Sequence, residues 1–177
     1  MTTPTTIDAY ARYPDATTLT MERLLPGPAE RVWAYITQSD LRRRWLAAGP
    51  MDLTPGGVVD LVWRNDELTD PPGQRPEGMK AENHMTGHVI AVDPPHLLTY
   101  DWPNVGEVTF ELTPQGEQVL LTLTHRRAPN RSTLLGVSGG WHAHLDLLEA
   151  AVRGSKPAPH WDTYRRLRAE YDQRLPA

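Results

Sequence analysis

The segment RSTLLGVSGGWHAHLDLLEAAVR, residues 131–153, constrains this chain more than any other. Leu134, Ser138, Trp141, Leu145, Leu148 and Val152 recur at steps of four and three, so they share one face of an amphipathic helix. Ser132 stands in an N-cap position, and Gly154 followed by Pro157 supplies stop signals. Inside this stretch Gly136, Ser138, Gly139 and Gly140 put four small residues into five positions. Each interior Gly costs a helix about 1 kcal/mol against Ala. Something must offset that, either the close approach of another backbone or room kept for a ligand. The alternative is a helix that begins only near Gly140, after a loop.

A helix with a long apolar face needs a surface to bury it against, and the residues before it provide one. Residues 17–25 alternate through Leu19, Met21 and Leu25 and read as a strand, which Pro26-Gly27-Pro28 stops. Two short helices follow: residues 29–37 with Val32, Trp33 and Ile36 on one side, then one capped by Ser39 or Asp40 with Leu41 and Trp45 spaced by four. From Gly56 to Arg127 the period is two. Val59, Leu61 and Trp63 share a face; so do Leu98, Tyr100 and Trp102; so do Val108, Phe110 and Leu112; so do Val119, Leu121, Leu123 and His125. Together with residues 84–92, and with turns at Asp93-Pro94-Pro95 and at residues 114–117, this predicts an antiparallel meander, apolar on one side and wet on the other. The fold class is therefore α+β: a curved antiparallel sheet wrapped around a long C-terminal helix.

Three segments stand outside that pattern. Residues 1–16 are polar and broken by Pro, and read as a flexible N-terminal tail before a single domain over 17–177. Residues 65–82 are rich in Pro, Gly and charge, and are either a lid or a solvated insertion. Residues 160–175 place Trp161, Tyr164, Tyr171 and Leu175 on one face of a final helix. That face should be covered by the rest of the domain or across a homodimer.

Composition narrows the function. A net charge of −4 gives no sign of a nucleic-acid surface, and there is no cysteine for a disulfide, a thiolate metal site or a Cys nucleophile. No apolar run is long enough to span a membrane, and no signal peptide is visible, so a cytoplasmic protein with no membrane partner is expected. Seven histidines raise the question of a metal. His142 and His144 lie about 200° apart around a helix and cannot share one ion. His84 and His88 share a strand face but stand about 13 Å apart. No metal, cofactor or catalytic residue is assigned, because no nucleophile elbow or phosphate loop appears either.

Three blocks also carry a resemblance. LTMERLLPGPAERVWAYITQSDLRRRW holds Val32-Trp33, Thr37, Asp40-Leu41 and Trp45; GHVIAVDPPHLLTYDW runs from Gly87 to Trp102; GWHAHLDLLEAAVRG runs from Gly140 to Gly154. In this order they resemble the SRPBCC superfamily (START-like and Bet v 1-like proteins), in the branch related to the heat-shock-protein-90 ATPase activator. The resemblance covers roughly residues 17–154. It implies a helix-grip fold with a hydrophobic cavity between the sheet and the long helix, and it leaves the chemistry open.

The expected function is a carrier or binding protein for a small apolar or aromatic molecule. The alternatives are a cavity-based enzyme of hydrolase or cyclase type, or a stress-related protein-interaction module. Parity selects Trp63, Tyr100, Trp102, Phe110, Leu123 and Trp141 as ligand-binding wall residues, although core packing explains the same positions. His125 and Ser138 are the polar contacts. His125 either reaches the cavity or turns out into solvent at its strand end, and Ser138 either faces the ligand or bonds the backbone four residues earlier.

Overall fold

The computed structural model describes residues 7–176. Seven antiparallel strands form one sheet in the order β1-β2-β7-β6-β5-β4-β3. They are β1 (Arg12–Asp15), β2 (Thr18–Pro26), β3 (Val58–Trp63), β4 (Asn83–Asp93), β5 (Leu97–Trp102), β6 (Gly106–Gln115) and β7 (Gln118–Arg126). Helices α1 (Ala29–Thr37) and α2 (Ser39–Arg42) lie between β2 and β3, and α3 (Arg131–Arg153) and α4 (His160–Arg174) end the chain. This is the helix-grip fold, with β4 to β7 as the expected meander and β2 closing onto β7. Among the described residues no helix is long and apolar enough to cross a membrane.

The inward parities hold strand by strand. Val59, Leu61, Leu98, Val108, Val119, Leu121 and Leu123 have no exposed surface, and Tyr100 and Phe110 keep only 1%. The α3 stripe meets them through Trp141, Leu145 and Leu148, all buried. α3 is continuous from Arg131, so the later start near Gly140 does not occur. Its N-cap is Asn130, whose side chain accepts from the Thr133 N–H, rather than Ser132. Gly154 closes it in the left-handed conformation, with φ 72°.

The flexible-tail expectation needs correction. Residues 1–6 lie outside the described residues. From residue 7 onward, however, the segment is held: β1 pairs with β2, and Tyr10 packs edge-on against His142 at 4.8 Å. The Tyr10 hydroxyl donates to Glu170 at 2.6 Å, and the Ala11 N–H donates to the Tyr171 hydroxyl at 2.9 Å. Sequence reading misses β1 because it is four polar residues carrying a Pro, a composition confined to sheet edges, where β1 stands.

α4 docks on this chain's own α3. Trp161, Tyr164, Leu167 and Tyr171 are all buried there. The cover that the aromatic face requires thus comes from within the chain.

Candidate functional site

The cavity lies beside α3, between it, the first turns of α4 and the connection that follows β3. It encloses about 390 Å³, within the range of small-molecule sites. One wall is made of strand ends. Trp63 closes β3 and Trp102 closes β5, and their indoles stack at 5.1 Å with 14° between planes. Trp141 from α3 meets Trp102 edge-on at 6.3 Å. The opposite wall comes from α4, where Trp161 lies 5.0 Å from His160 and 5.8 Å from Tyr164. Leu46 and Val137 add aliphatic surface, and Met79, Asn83 and His84 form an exposed rim.

The small residues of α3 now have separate reasons. A Cβ on Gly139 would stand 3.3 Å from the Arg168 backbone, so this glycine lets α4 approach closely. A Cβ on Gly136 or Gly140 would meet nothing within 4 Å, and both residues line the cavity. Gly136→Ala and Gly140→Ala should therefore each stabilise the protein by about 0.5–1 kcal/mol through helix propensity alone. Gly139→Ala should gain nothing or lose stability. Urea midpoints of the three variants check this, and equal gains at all three positions would contradict it.

Of the eight residues selected by parity, Trp63, Trp102 and Trp141 line the cavity. The other five do not. Tyr100, Phe110 and Leu123 lie deeper in the core, with Phe110 packed 6.3 Å from both Tyr100 and Trp45 and 5.8 Å from Trp141. The sheet's concave face is filled by these rings, and the free volume is displaced to the flank where the glycines stand.

His125 is fully buried and neither lines the cavity nor turns into solvent. Its Nδ1 accepts from the Trp141 indole N–H at 3.0 Å. Its Nε2 must then carry the hydrogen and donate to the Val105 carbonyl, also at 3.0 Å. Burial pushes its pKa down, which favours this neutral tautomer. Gly106, with φ 147°, makes room: a Cβ there would stand 2.6 Å from His125 Nε2. His125 is thus a positioning residue for one indole of the wall. Ser138 donates to the Leu134 carbonyl at 2.6 Å and accepts from the Tyr13 hydroxyl at 2.8 Å, on the side of α3 facing β1.

The polar groups at the cavity are ones that parity cannot find. His144 is buried, and its Nδ1 lies 2.7 Å from the Trp45 carbonyl. Burial holds its pKa at about 4 against the weak opposing pull of that carbonyl. His160 opens α4, and its ring centroid is 4.9 Å from that of His144. Burial, and then the neighbouring His144, push its pKa down. Asn65 contributes from the short 3-10 turn Asn65–Glu67. The readable signals were position 160, directly after a Pro-rich spacer, and an α3 histidine off the stripe by less than a quarter turn. Among the described residues no group of three or more His, Asp or Glu comes together as a metal cluster.

The first half of the 65–82 connection is fastened to α4. Thr69 Oγ1 accepts from the His160 N–H at 2.9 Å, the Pro72 carbonyl from the Trp161 N–H at 3.0 Å, and Asp66 from the Trp161 indole at 2.7 Å. The connection thus completes α4's N-terminal donors, which α4's own N-cap residue, Pro159, does not satisfy with a side chain.

The comparisons with known proteins agree with this architecture. No curated protein matches the chain. The solution structure of a protein encoded by gene BPP1335 from Bordetella parapertussis is 37% identical, with all of this chain and 97% of that one aligned at a TM-score of 0.80. The crystal structure of CalU16 from Micromonospora echinospora is 24% identical over 94% of each chain, at a TM-score of 0.66. A conserved protein of unknown function, EF2215 from Enterococcus faecalis, is 18% identical over 93% of this chain and 88% of its own, at 0.70. The last two carry the fold alone. The pattern of the family described as Activator of Hsp90 ATPase homolog 1-like protein matches residues 26–153, and that span includes the sheet from β3 onward and all of α3. This chain is a member of that family, within the SRPBCC superfamily.

Proposed function

We propose that this protein binds a small, largely apolar molecule with a flat ring system in the cavity beside α3. One observation carries the reading: two glycines, Gly136 and Gly140, hold space open against a wall of stacked indoles. A chain under no need of that space would gain helix stability by filling it. Aromatic walls recognise flat apolar surfaces through area and through edge and face contacts. Among the described residues that line the cavity there is no Ser, Thr, Lys, Asp or Glu, and its polar side chains are those of His, Asn, Tyr and Trp.

Gly140→Leu tests the reading, because its side chain would stand in the cavity. Uptake of Nile red, a neutral environment-sensitive dye, is expected in the micromolar range for the wild type and at least tenfold weaker in Gly140→Leu. Circular-dichroism melting should show an intact fold in both. A wild type that takes up no dye, or a variant that takes it up unchanged, sinks the reading.

A further inference from the structure

We infer that the cavity selects a neutral planar molecule whose polar end donates hydrogen bonds, and that His144, His160 and Asn65 receive that end. This rests on the binding reading above and names the ligand class. It starts from a tautomer. His144 Nδ1 is 2.7 Å from the Trp45 carbonyl oxygen, which can only accept, so Nδ1 carries the hydrogen. In the neutral ring Nε2 then keeps its lone pair and can only accept.

Two further atoms, in residues that line the cavity, point the same way. The Asn65 amide oxygen Oδ1 is buried with no partner among the described residues, and it too can only accept. His160 has 1% of its surface exposed, and its Nδ1 is buried and equally unpartnered. A neutral imidazole there offers one donor and one acceptor. Native proteins rarely leave buried polar atoms unmet, and those that remain mark places where something else supplies the partner. The residues gathered at one end of the cavity thus hold two unpaired acceptors and one imidazole of either role, which a donor entering there would meet by a small side-chain turn. A hydroxyl, an amine N–H or an amide N–H satisfies such a set, and an ether or a carbonyl does not.

Charge sets the second half of the specification. Among the described residues lining the cavity there is no Lys or Arg to meet an anion, and no Asp or Glu to meet a cation. Burial disfavours imidazolium at His144 and His160 alike, so neither supplies a positive charge near neutral pH. A charged ligand would be desolvated without compensation.

Three probes that share one bicyclic ring separate these statements: 2-naphthol, 2-methoxynaphthalene and 2-naphthoate. Each is titrated into the full chain at pH 7.5 by isothermal titration calorimetry. 2-Naphthol is expected to bind at least tenfold more tightly than either of the others, because sites built to pair a donor reject analogues lacking it. His160→Phe keeps a ring and removes nitrogens that make no hydrogen bond within the described protein, so it should fold. In that variant the naphthol preference should shrink several-fold while methoxynaphthalene binds as before. Equal binding of naphthol and methoxynaphthalene, or tightest binding of naphthoate, overturns the donor inference and leaves cavity binding standing. An undiminished preference in His160→Phe removes His160 from the site. If none of the three binds, the inference and the binding reading fall together.

Discussion

Lowering the pH from 7.5 to 5.0 should cost this protein several kcal/mol of stability. Three buried histidines drive this, and His125, which burial also pushes down, adds to it. Burial holds His142 at about 4, with Arg23 and Arg166 adding to the effect; it holds His144 at about 4; and it pushes His160 down as well. In the unfolded chain each would titrate near 6.5. The folded values are depressed, so as pH falls below 6.5 the unfolded state takes up protons first. The stability present above pH 6.5 is therefore lost through the window from 6.5 down to about 4. Each histidine at about 4 forfeits about 2 kcal/mol by pH 5, and the three together forfeit on the order of 6, against the 5–15 kcal/mol of a typical domain. Asp146 opposes this, because burial raises its pKa and its folded form holds a proton more readily, but it is one group against four histidines. The structural cost falls where these rings are bonded: His142 Nδ1 lies 2.8 Å from the Tyr171 hydroxyl, and in the neutral ring with the hydrogen on Nε2, the side facing Asp146, it accepts that O–H, an acceptor that protonation would abolish. Urea midpoints by Trp fluorescence at pH 7.5, 6.0 and 5.0 measure the effect. A midpoint that stays constant across that range refutes it.

Arg42→Met should cost at least about 4 kcal/mol, the largest loss expected from one substitution outside the hydrophobic core. Arg42 has 1% exposure and no carboxylate partner among the described residues. Its guanidinium instead donates to backbone carbonyls: Ala47 at 3.1 Å, Ile36 at 3.3 Å, Thr37 at 2.9 Å, and Gly49. Ile36 and Thr37 are the last residues of α1, whose terminal carbonyls lack helical partners. Removing a buried charge can be neutral when its partners leave with it. Here the partners are main-chain oxygens and remain, each unmet at about 1–3 kcal/mol. Arg42→Lys should recover only part of the loss, because one ammonium cannot reproduce the planar fork. The damage should reach the cavity, since the Trp45 carbonyl that orients His144 belongs to the same corner. Equilibrium urea unfolding decides it, and a loss under about 1 kcal/mol for Arg42→Met would mean that water replaces the guanidinium.

Periodicity carried most of the fold and part of the site, and the boundary between legible and illegible has a physical cause. Leu19, Met21 and Leu25 announce β2, yet Arg23 occupies the same inward phase and is 3% exposed. A pattern rule reads Arg as surface, and only the tertiary structure shows it bonded to the Ala9 and Glu22 carbonyls and to Asp146. Arg42 is hidden for the same reason. Trp63, Trp102 and Trp141 were found because strand parity and the helix stripe both point them inward. Tyr100, Phe110 and Leu123 share that parity and ended in the core, because parity assigns a face and says nothing of where along the face atoms run out. The histidine pair needed knowledge of where α4 lands. His142 and His144 do diverge around α3 as their spacing requires, one toward Tyr171 and the other toward Trp45. His160 meets His144 only through tertiary docking, which no local period encodes.

The fastening of the first half of residues 65–82 to α4 bears on kinetics. The part of this segment tied by Thr69, Pro72 and Asp66 is held against α4, and the rim formed by Met79, Asn83 and His84 is already exposed. A ligand would arrive at a doorway that stands open and find its contacts preformed. Association should then be a single step whose observed rate climbs linearly with ligand concentration, with no plateau from a slow rearrangement. Discrimination among ligands would lie in how long each stays, and residence time would be set by the hydrogen bonds at the inner end of the cavity.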